Sequence, residues 1–401
     1  MAFDVARVRA DFPALSAGAA HFDSPGGTQT PRPVIDAIAG ALQRPLSNRG
    51  CQTPAQRNAE HIVVAARSAV ADLLNTDPHG IVFGRSATSL TFEMSRTLAR
   101  TYGWGPGDEI VVTRLDHDAN IRPWLIVAEA VGATARFADF DPATGELVGE
   151  SVAAVLSGRT RLVAVTAASN LIGTKPDVSA IAELAHGVGA QLYVDGVHYA
   201  AHAHVDLAAL GADFFVCSPY KFLGPHLGVL AAAPALLESL TPEKLLPSTD
   251  AVPERFELGT LPYELLAGTT AAVDYLAGLA GAEGSRRGRL AASHRAIEEH
   301  ETSLRQELEA GLEALGNATL YSRAAQRTST LLFSLAKLPS AQVAEHVGRR
   351  GVNAQAGNFY AIETSRHLGL GDGGAVRAGI ALYNNANDVQ RLVEGLTELA
   401  S

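Results

Sequence analysis

The sequence predicts an α/β protein: a seven-stranded, mainly parallel sheet covered by helices, followed by a smaller α+β domain. Three observations predict it. Short apolar, β-branched runs alternate with Ala/Leu-rich amphipathic stretches, the pattern of repeated strand–helix units. These runs are apolar on both faces, as strands covered from both sides must be. After about Tyr263 the alternation gives way to long charged helices and isolated short strands.

Taken in order, a turn-rich stretch over Pro45–Thr53 precedes a helix from about Pro54 to Leu74. The strands are expected at Gly80–Phe83, Glu109–Thr113, Ala135–Ala138, Leu162–Thr166, Gln191–Val194, Phe214–Cys217 and Gly228–Ala231. Helices fall between them at Ala87–Arg100, Asn120–Val131, Val178–Val188 and Leu207–Leu210. Beyond come helices at about 263–280 and 288–315, with GAEGSRRG at Gly281–Gly288 as the best linker between them. Short strands near Ala318–Tyr321 and Thr328–Ser334, a helix at Ser340–Arg349, strands at Val352–Gln355 and Ala375–Ala381, and a helix from Asn387 complete the chain. The expected division is an N-terminal arm (1–20) packing with the small domain, a large domain (21–262) and a small domain (263–401) that opens with a connecting helix.

Composition excludes several classes. The 401 residues carry a net charge of −10, too acidic for general nucleic-acid binding, which needs clustered Lys and Arg. Two cysteines build neither a disulfide framework nor a thiolate zinc site, and they suit a reducing cytosol. The charged N-terminus, MAFDVARVRADFPAL, lacks the apolar core of a signal peptide, and no uncharged run reaches the roughly 20 residues that span a bilayer. A cytoplasmic enzyme is the expectation, with no membrane or nucleic-acid partner. Neither a P-loop nor a GxGxxG follows the first strand.

The chemistry concentrates in QLYVDGVHYAAHAHVDLAALGADFFVCSPYKFLGPHLGVL, Gln191–Leu230. One strand ends in Asp195 and another in Ser218-Pro219-Tyr220-Lys221. Ligands of open parallel sheets sit beyond the carboxyl ends of the strands, so both side chains would enter one crevice. A lysine desolvated between Tyr220 and Phe222 has the lowered pKa that Schiff-base chemistry requires. An acid nearby is what keeps a pyridoxal phosphate nitrogen protonated. Taken singly, Lys221 also reads as a lysine snorkelling at a strand end, and Asp195 as a turn cap.

VDGVHYAAH and FFVCSPYKFLGPHLGVL resemble the cofactor segment of the class V aminotransferase and cysteine desulfurase family, fold type I pyridoxal-phosphate enzymes. Colinear motifs extend the resemblance from FDSPGGTQTP near residue 22 to VRAGIALYNNANDV near residue 377. It implies that Lys221 binds the cofactor and moves the substrate's proton, that Asp195 pairs with the pyridine nitrogen, and that His198 replaces a glutamine on the ring hydroxyl. His117, in EIVVTRLDHDANIRPW, matches the histidine stacked on the ring. Asp116-His117-Asp118 also invites a metal reading, but three adjacent residues cannot all face one ion in regular structure, and no metal is expected.

Ala87 and Thr88 open a helix after Phe83-Gly84-Arg85-Ser86, an anion-binding start that equally fits an ordinary N-cap. With Ser218 and Tyr220, the latter where many relatives carry histidine, they would hold the phosphate. FELGT, ending at Thr260, resembles the segment that reaches the partner's phosphate, which implies a homodimer with shared sites. Arg377 and Asn170 match the residues at the substrate α-carboxylate, and Arg49 matches an arginine near the site.

The chain departs from persulfide-forming desulfurases in one respect. Between Val352 and Arg377 it carries no cysteine; Tyr360 is the nearest equivalent, and Gln355 stands where those enzymes tend to carry arginine. Cys51 lies in the early turns, and Cys217 reads as a small buried hydrophobe. Without a thiolate acceptor the persulfide relay lacks its nucleophile. A lyase cleaving a β C–S bond is therefore the leading expectation, with an aminotransferase or epimerase second and a non-catalytic scaffold of this fold third.

Overall fold

The computed structural model describes residues 3–400. The outermost ends of the expected arm (residues 1 and 2) and of the small domain (Ser401) lie outside the described residues.

Seven strands form the principal sheet: β1 (Ile81–Gly84), β2 (Glu109–Thr113), β3 (Thr134–Ala138), β4 (Thr160–Thr166), β5 (Gln191–Asp195), β6 (Phe214–Cys217) and β7 (Gly228–Ala232). Their order is β1-β7-β6-β5-β4-β2-β3, and only β7 runs antiparallel to its neighbours. Residue alternation sends Val111, Val163, Val165, Val194, Phe215 and Cys217 to a core on one face. Ile110, Val112, Leu162, Ala164, Tyr193 and Val216 face a second core on the other. Both faces are thus covered, and the α/β class with a mostly parallel sheet is as expected. β3 is the exception: it lies at the edge and its first four residues are not buried.

Gly228 and Gly196 permit two close approaches that build the site end of the sheet. A Cβ on Gly228 would sit 2.3 Å from the Ser86 carbonyl carbon, and one on Gly196 would sit 1.8 Å from Phe215 Cζ. The first glycine lets β7 meet the start of helix Ala87–Tyr102, and the second lets the chain turn directly after Asp195.

The C-terminal half builds a four-stranded antiparallel sheet from β8 (Ala318–Leu320), β9 (Thr330–Leu335), β10 (Gln355–Gly357) and β11 (Ala375–Gly379), in the order β10-β11-β9-β8. Here one expectation changes. The run Val352–Gln355 is not one strand: Val352–Asn353 pairs in parallel with Ala20–His21, and the chain then turns into β10. Asp23 bridges to Gly379, so the segment after the N-terminal helix is stitched to this second sheet. Helix Tyr263–Gly278 packs on helices Arg32–Leu42 and Pro54–Leu74. Of the expected linker, Arg286–Gly288 already belong to helix Arg286–Ala314, capped by Ser285. The short helix Ile362–His367 carries no sequence signal long enough to have been anticipated.

Candidate functional site

β4, β5 and β6 end side by side, and the loops after them open into a cavity of about 710 Å³. It is lined by His117, Asp195, His198, Ser218, Tyr220, Lys221, Asn170, Ala87, Thr88 and Arg377, ten of the twelve residues singled out from sequence. The structure does not bring Thr260 or Arg49 there. Thr260 lines a neighbouring cavity that shares Asp23, Gly26 and Tyr220 with the first. Arg49 is held by Glu60 and Glu254, at 2.8 Å from each.

Lys221 ends a single 3-10 turn (Pro219–Lys221) that follows β6. Its ammonium touches the Pro25 carbonyl and lies 4.7 Å from the centroid of the Tyr220 ring. Burial, and secondarily Arg377, pushes its pKa down to about 7. Asp195, also buried, has its carboxyl pushed up to about 6 despite accepting the Val197 amide at 2.8 Å. Among the described residues no cation forms an ion pair with it, so this acid is short of a positive partner.

His117 caps the turn Asp118–Asn120 by accepting the Ala119 amide at Nδ1, 3.0 Å away. That bond fixes the neutral tautomer with its proton on Nε2. Desolvation, followed by Lys221 and Arg377, pushes its pKa down to about 3, so the ring enters the cavity uncharged. Beneath it, buried Asp116 accepts from Asn120 at 2.7 Å and from Thr113, and Asn120 accepts from Trp124 at 3.2 Å. Asp116 is thus occupied within the fold rather than offered to an ion.

Ser86 caps helix Ala87–Tyr102 through a capping box with Ser89, leaving the amides at the helix start beside the cavity. Arg377 enters from β11, where it is opposite Gln355 on β10 and Leu332 on β9. The guanidinium donates to Asn170 O at 3.0 Å and Asp23 Oδ1 at 2.6 Å, and the Phe359 ring centroid is 3.6 Å from it. Its Nε, buried, has no partner among the described residues, and neither has Asn170 Oδ1. Gln355 reaches the other Asp23 oxygen at 3.1 Å.

The remaining wall is the turn Gly357–Ala361. Phe359 and Tyr360 both adopt left-handed backbone, with φ 51° and 62°. Two bonds tie the turn to the principal sheet's loops: the Asp118 amide donates to Tyr360 O at 2.7 Å, and Asn170 Nδ2 to Phe359 O at 3.0 Å. The Tyr360 ring stacks on His117 at 5.5 Å, although Tyr360 is otherwise exposed. Cys217 is fully buried, with its thiol pushed up by desolvation, while Cys51 is exposed; neither lines the cavity.

Sequence reasoning assigned no role to Asp23, Phe359, Thr328 or Thr330. Asp23 had a signal, since it sits in the quoted FDSPGG motif; the others had none, because their contacts are between segments far apart in the chain. Among the described residues, no helix is long and apolar enough to cross a membrane, and no group of three His, Cys, Asp or Glu is placed to hold a metal ion.

Comparison with known proteins identifies the fold and the family. Residues 20–392 match the family model Aminotransferase class-V. The chain is 35% identical over 405 residues to the uncharacterized protein MT3887 of Mycobacterium tuberculosis, covering 100% of both chains. It is 32% identical over 424 residues to a cysteine desulfurase of Klebsiella pneumoniae, covering 100% of this chain and 99% of that one. The crystal structure of the cysteine desulfurase CsdA from Escherichia coli superposes with a TM-score of 0.87 at 28% identity, over 100% of this chain and 99% of that chain. From its sheet order, its buried lysine and these matches along its whole length, the chain belongs to the class V aminotransferase family, within its cysteine desulfurase-like members.

Proposed function

We propose that this protein is a pyridoxal-phosphate enzyme that cleaves the C–S bond β to the α-carbon of cysteine or a cysteine S-conjugate, without an enzyme-bound persulfide. The cofactor is the one its family uses, and the cavity's residues fit it. A buried carboxyl lacking a cation suits a pyridinium nitrogen, a capped helix start suits a phosphate, and a buried amine near neutrality suits an aldehyde. Bound there, the group supplies an electron sink for the pair left when a proton leaves the substrate's α-carbon.

The chain's own residues would divide the remaining work. Arg377, with Asn170, binds the α-carboxylate through the guanidinium it brings to the cavity wall. Lys221, whose amine loses its proton near pH 7, takes the α-proton. Asp195 holds a proton on the ring nitrogen. His117, neutral and flat, covers the ring without adding charge. His198 serves the ring hydroxyl, while Ala87, Thr88, Ser218 and Tyr220 hold the phosphate. Sulfur departs with the C–S electron pair as a thiolate, leaving a carbon skeleton that yields a keto acid and ammonia on hydrolysis.

The observation that carries this reading is the turn Gly357–Ala361: a tethered pair of aromatic residues, where a desulfurase would present a mobile thiol. Neither cysteine substitutes, since the thiol of Cys217 is sealed in the core and Cys51 is outside the cavity. The same family likeness supports a homodimer in which Thr260 completes the partner's phosphate site. Residues 21–262 would form the cofactor-holding domain and 263–401 the smaller one.

The test incubates the loaded enzyme with cysteine, S-substituted cysteines and other amino acids, following sulfide, thiol, ammonia and keto acid. Release of thiol or sulfide with keto acid, and no amino acceptor required, is expected. A strict need for an amino acceptor would make it an aminotransferase, and inversion at the α-carbon with the skeleton intact an epimerase.

A further inference from the structure

His198 lies on the turn after β5, fully enclosed except toward the cavity, and its Nε2 meets two threonine hydroxyls from the second sheet's side of the molecule. Thr328 Oγ1 is 3.1 Å away and Thr330 Oγ1 3.0 Å. Both threonines are buried. Their placement is rigid: the Thr328 amide donates to Gly173 O at 2.8 Å, and Gly173, at φ +75°, leaves no room for a side chain against Thr330 O and Thr328 Oγ1.

Proton counting decides the histidine's tautomer. Each hydroxyl has one proton to give, and among the described residues His198 Nε2 is the only acceptor within hydrogen-bond distance of either. A protonated Nε2 would strand both hydroxyl protons in the core. An unprotonated Nε2 accepts one of them and strands only the other. A buried donor without a partner costs about 1–3 kcal/mol, so the second arrangement wins. Burial also holds the imidazole neutral, well below its ordinary range, with His202, Lys221 and Arg377 acting in the same direction. The single ring proton must then sit on Nδ1, which has no hydrogen-bond partner among the described residues, in a side chain that lines the cavity.

We propose that Thr328 and Thr330 are positioning residues that lock His198 as the Nδ1–H tautomer, making it an obligatory hydrogen-bond donor to the ring oxygen of the cofactor. This rests on the proposed seat of pyridoxal phosphate at Lys221. A glutamine carries its donor regardless of its surroundings; a histidine in its place needs an external device to fix the proton, and these two hydroxyls are that device. Their location also makes the cofactor's hydrogen bonding depend on the seating of the C-terminal segment, because Thr330 begins β9, the neighbour of the strand that carries Arg377.

The experiment reads tautomer and cofactor affinity separately. In histidine-labelled, cofactor-free protein, two-bond 15N–1H NMR correlations report the proton's position, with His198 assigned by its loss in H198Q. Wild type should show Nδ1–H; T328V/T330V should show a mixture or Nε2–H, and T328S/T330S should restore the wild-type pattern. The dissociation constant for pyridoxal phosphate, read from the visible band, should rise by about tenfold in the valine variant and stay unchanged in the serine variant. In the H198Q background the valine substitutions should have no effect on affinity. Unchanged tautomer in T328V/T330V, or an equal affinity loss in the H198Q background, overturns the proposal. Should the double valine variant fail to fold, T328A/T330A takes its place with the same outcomes, while the single variants T328V and T330V, each keeping one hydroxyl to donate to Nε2, should retain Nδ1–H. A wild type that binds the cofactor without a Lys221-dependent visible band would overturn the seat itself, whatever the NMR shows.

Discussion

Lys221 and Asp195 are opposite charges buried in one cavity, and each is displaced toward neutrality, to about 7 and about 6. For Lys221 the free amine is the form that captures an aldehyde, so the rate of pyridoxal phosphate uptake by cofactor-free protein should rise with pH through about 7 and level above it. Arg377→Ala removes the cation that adds to the depression and should move this midpoint upward; stopped-flow absorbance measures both. Lys221→Ala should lower turnover by at least about 10³-fold while leaving thermal unfolding cooperative. For Asp195 the sign runs the other way. Its folded pKa exceeds its unfolded one, so its ionisation weakens the cofactor-free fold progressively from about pH 4 to pH 6 and by a constant amount above. Asp195→Asn should therefore match wild-type stability at pH 4 and exceed it by about 2–3 kcal/mol at pH 8, yet hold the cofactor more weakly. Unfolding curves at the two pH values check it. Both residues were legible in the sequence because a chemically demanding side chain ends an apolar strand, as Asp195 does, or the single turn after one, as Lys221 does. Thr330 was not, because its partner His198 is 132 residues away and no periodicity joins them.

Among the elements, strands and the turn Gly357–Ala361 stand at opposite ends of legibility. β2, β4, β5 and β6 announce themselves through residues apolar on both faces, since a strand between two helix layers has no solvated side. The turn does not, because Phe359 and Tyr360 take a backbone conformation that bulky residues avoid, and the compensation comes from Asp118 and Asn170 on other loops. The split at Ala354 was hidden for a similar reason: a run of four strand-like residues serves two different sheets. If the turn is held against its own preference, a substitution at Tyr360 should be ranked by φ rather than by apolar area. Tyr360→Val, β-branched, should be less stable than Tyr360→Gly by about 1 kcal/mol, although glycine removes more surface. Chemical unfolding of the two variants gives the order directly.

At the scale of the whole molecule, the two cavities meet at Asp23, Gly26 and Tyr220. Glu257 is locked to Arg67 at 2.8 Å and accepts the Phe83 amide at 2.9 Å, so the segment that follows it is firmly anchored. That segment then presents Leu258, Gly259 and Thr260 to the surface, near exposed Leu245 and Leu246 in sequence. An anchored segment with an exposed leucine and threonine at its tip is what a two-fold interface would use, each copy lending Thr260 to the other. Such sharing has a consequence that no monomeric arrangement can reproduce. Lys221→Ala would disable a site from within, whereas under such sharing Thr260→Asp would set a negative charge against the phosphate of the partner's site. Each variant alone should be inactive as a homodimer. In a heterodimer isolated with two different tags, one site inherits both lesions and the other neither, so about half of the wild-type rate per dimer should return. If Thr260 serves its own chain, each protomer of that heterodimer keeps one lesion, and the activity stays at the level of the parents.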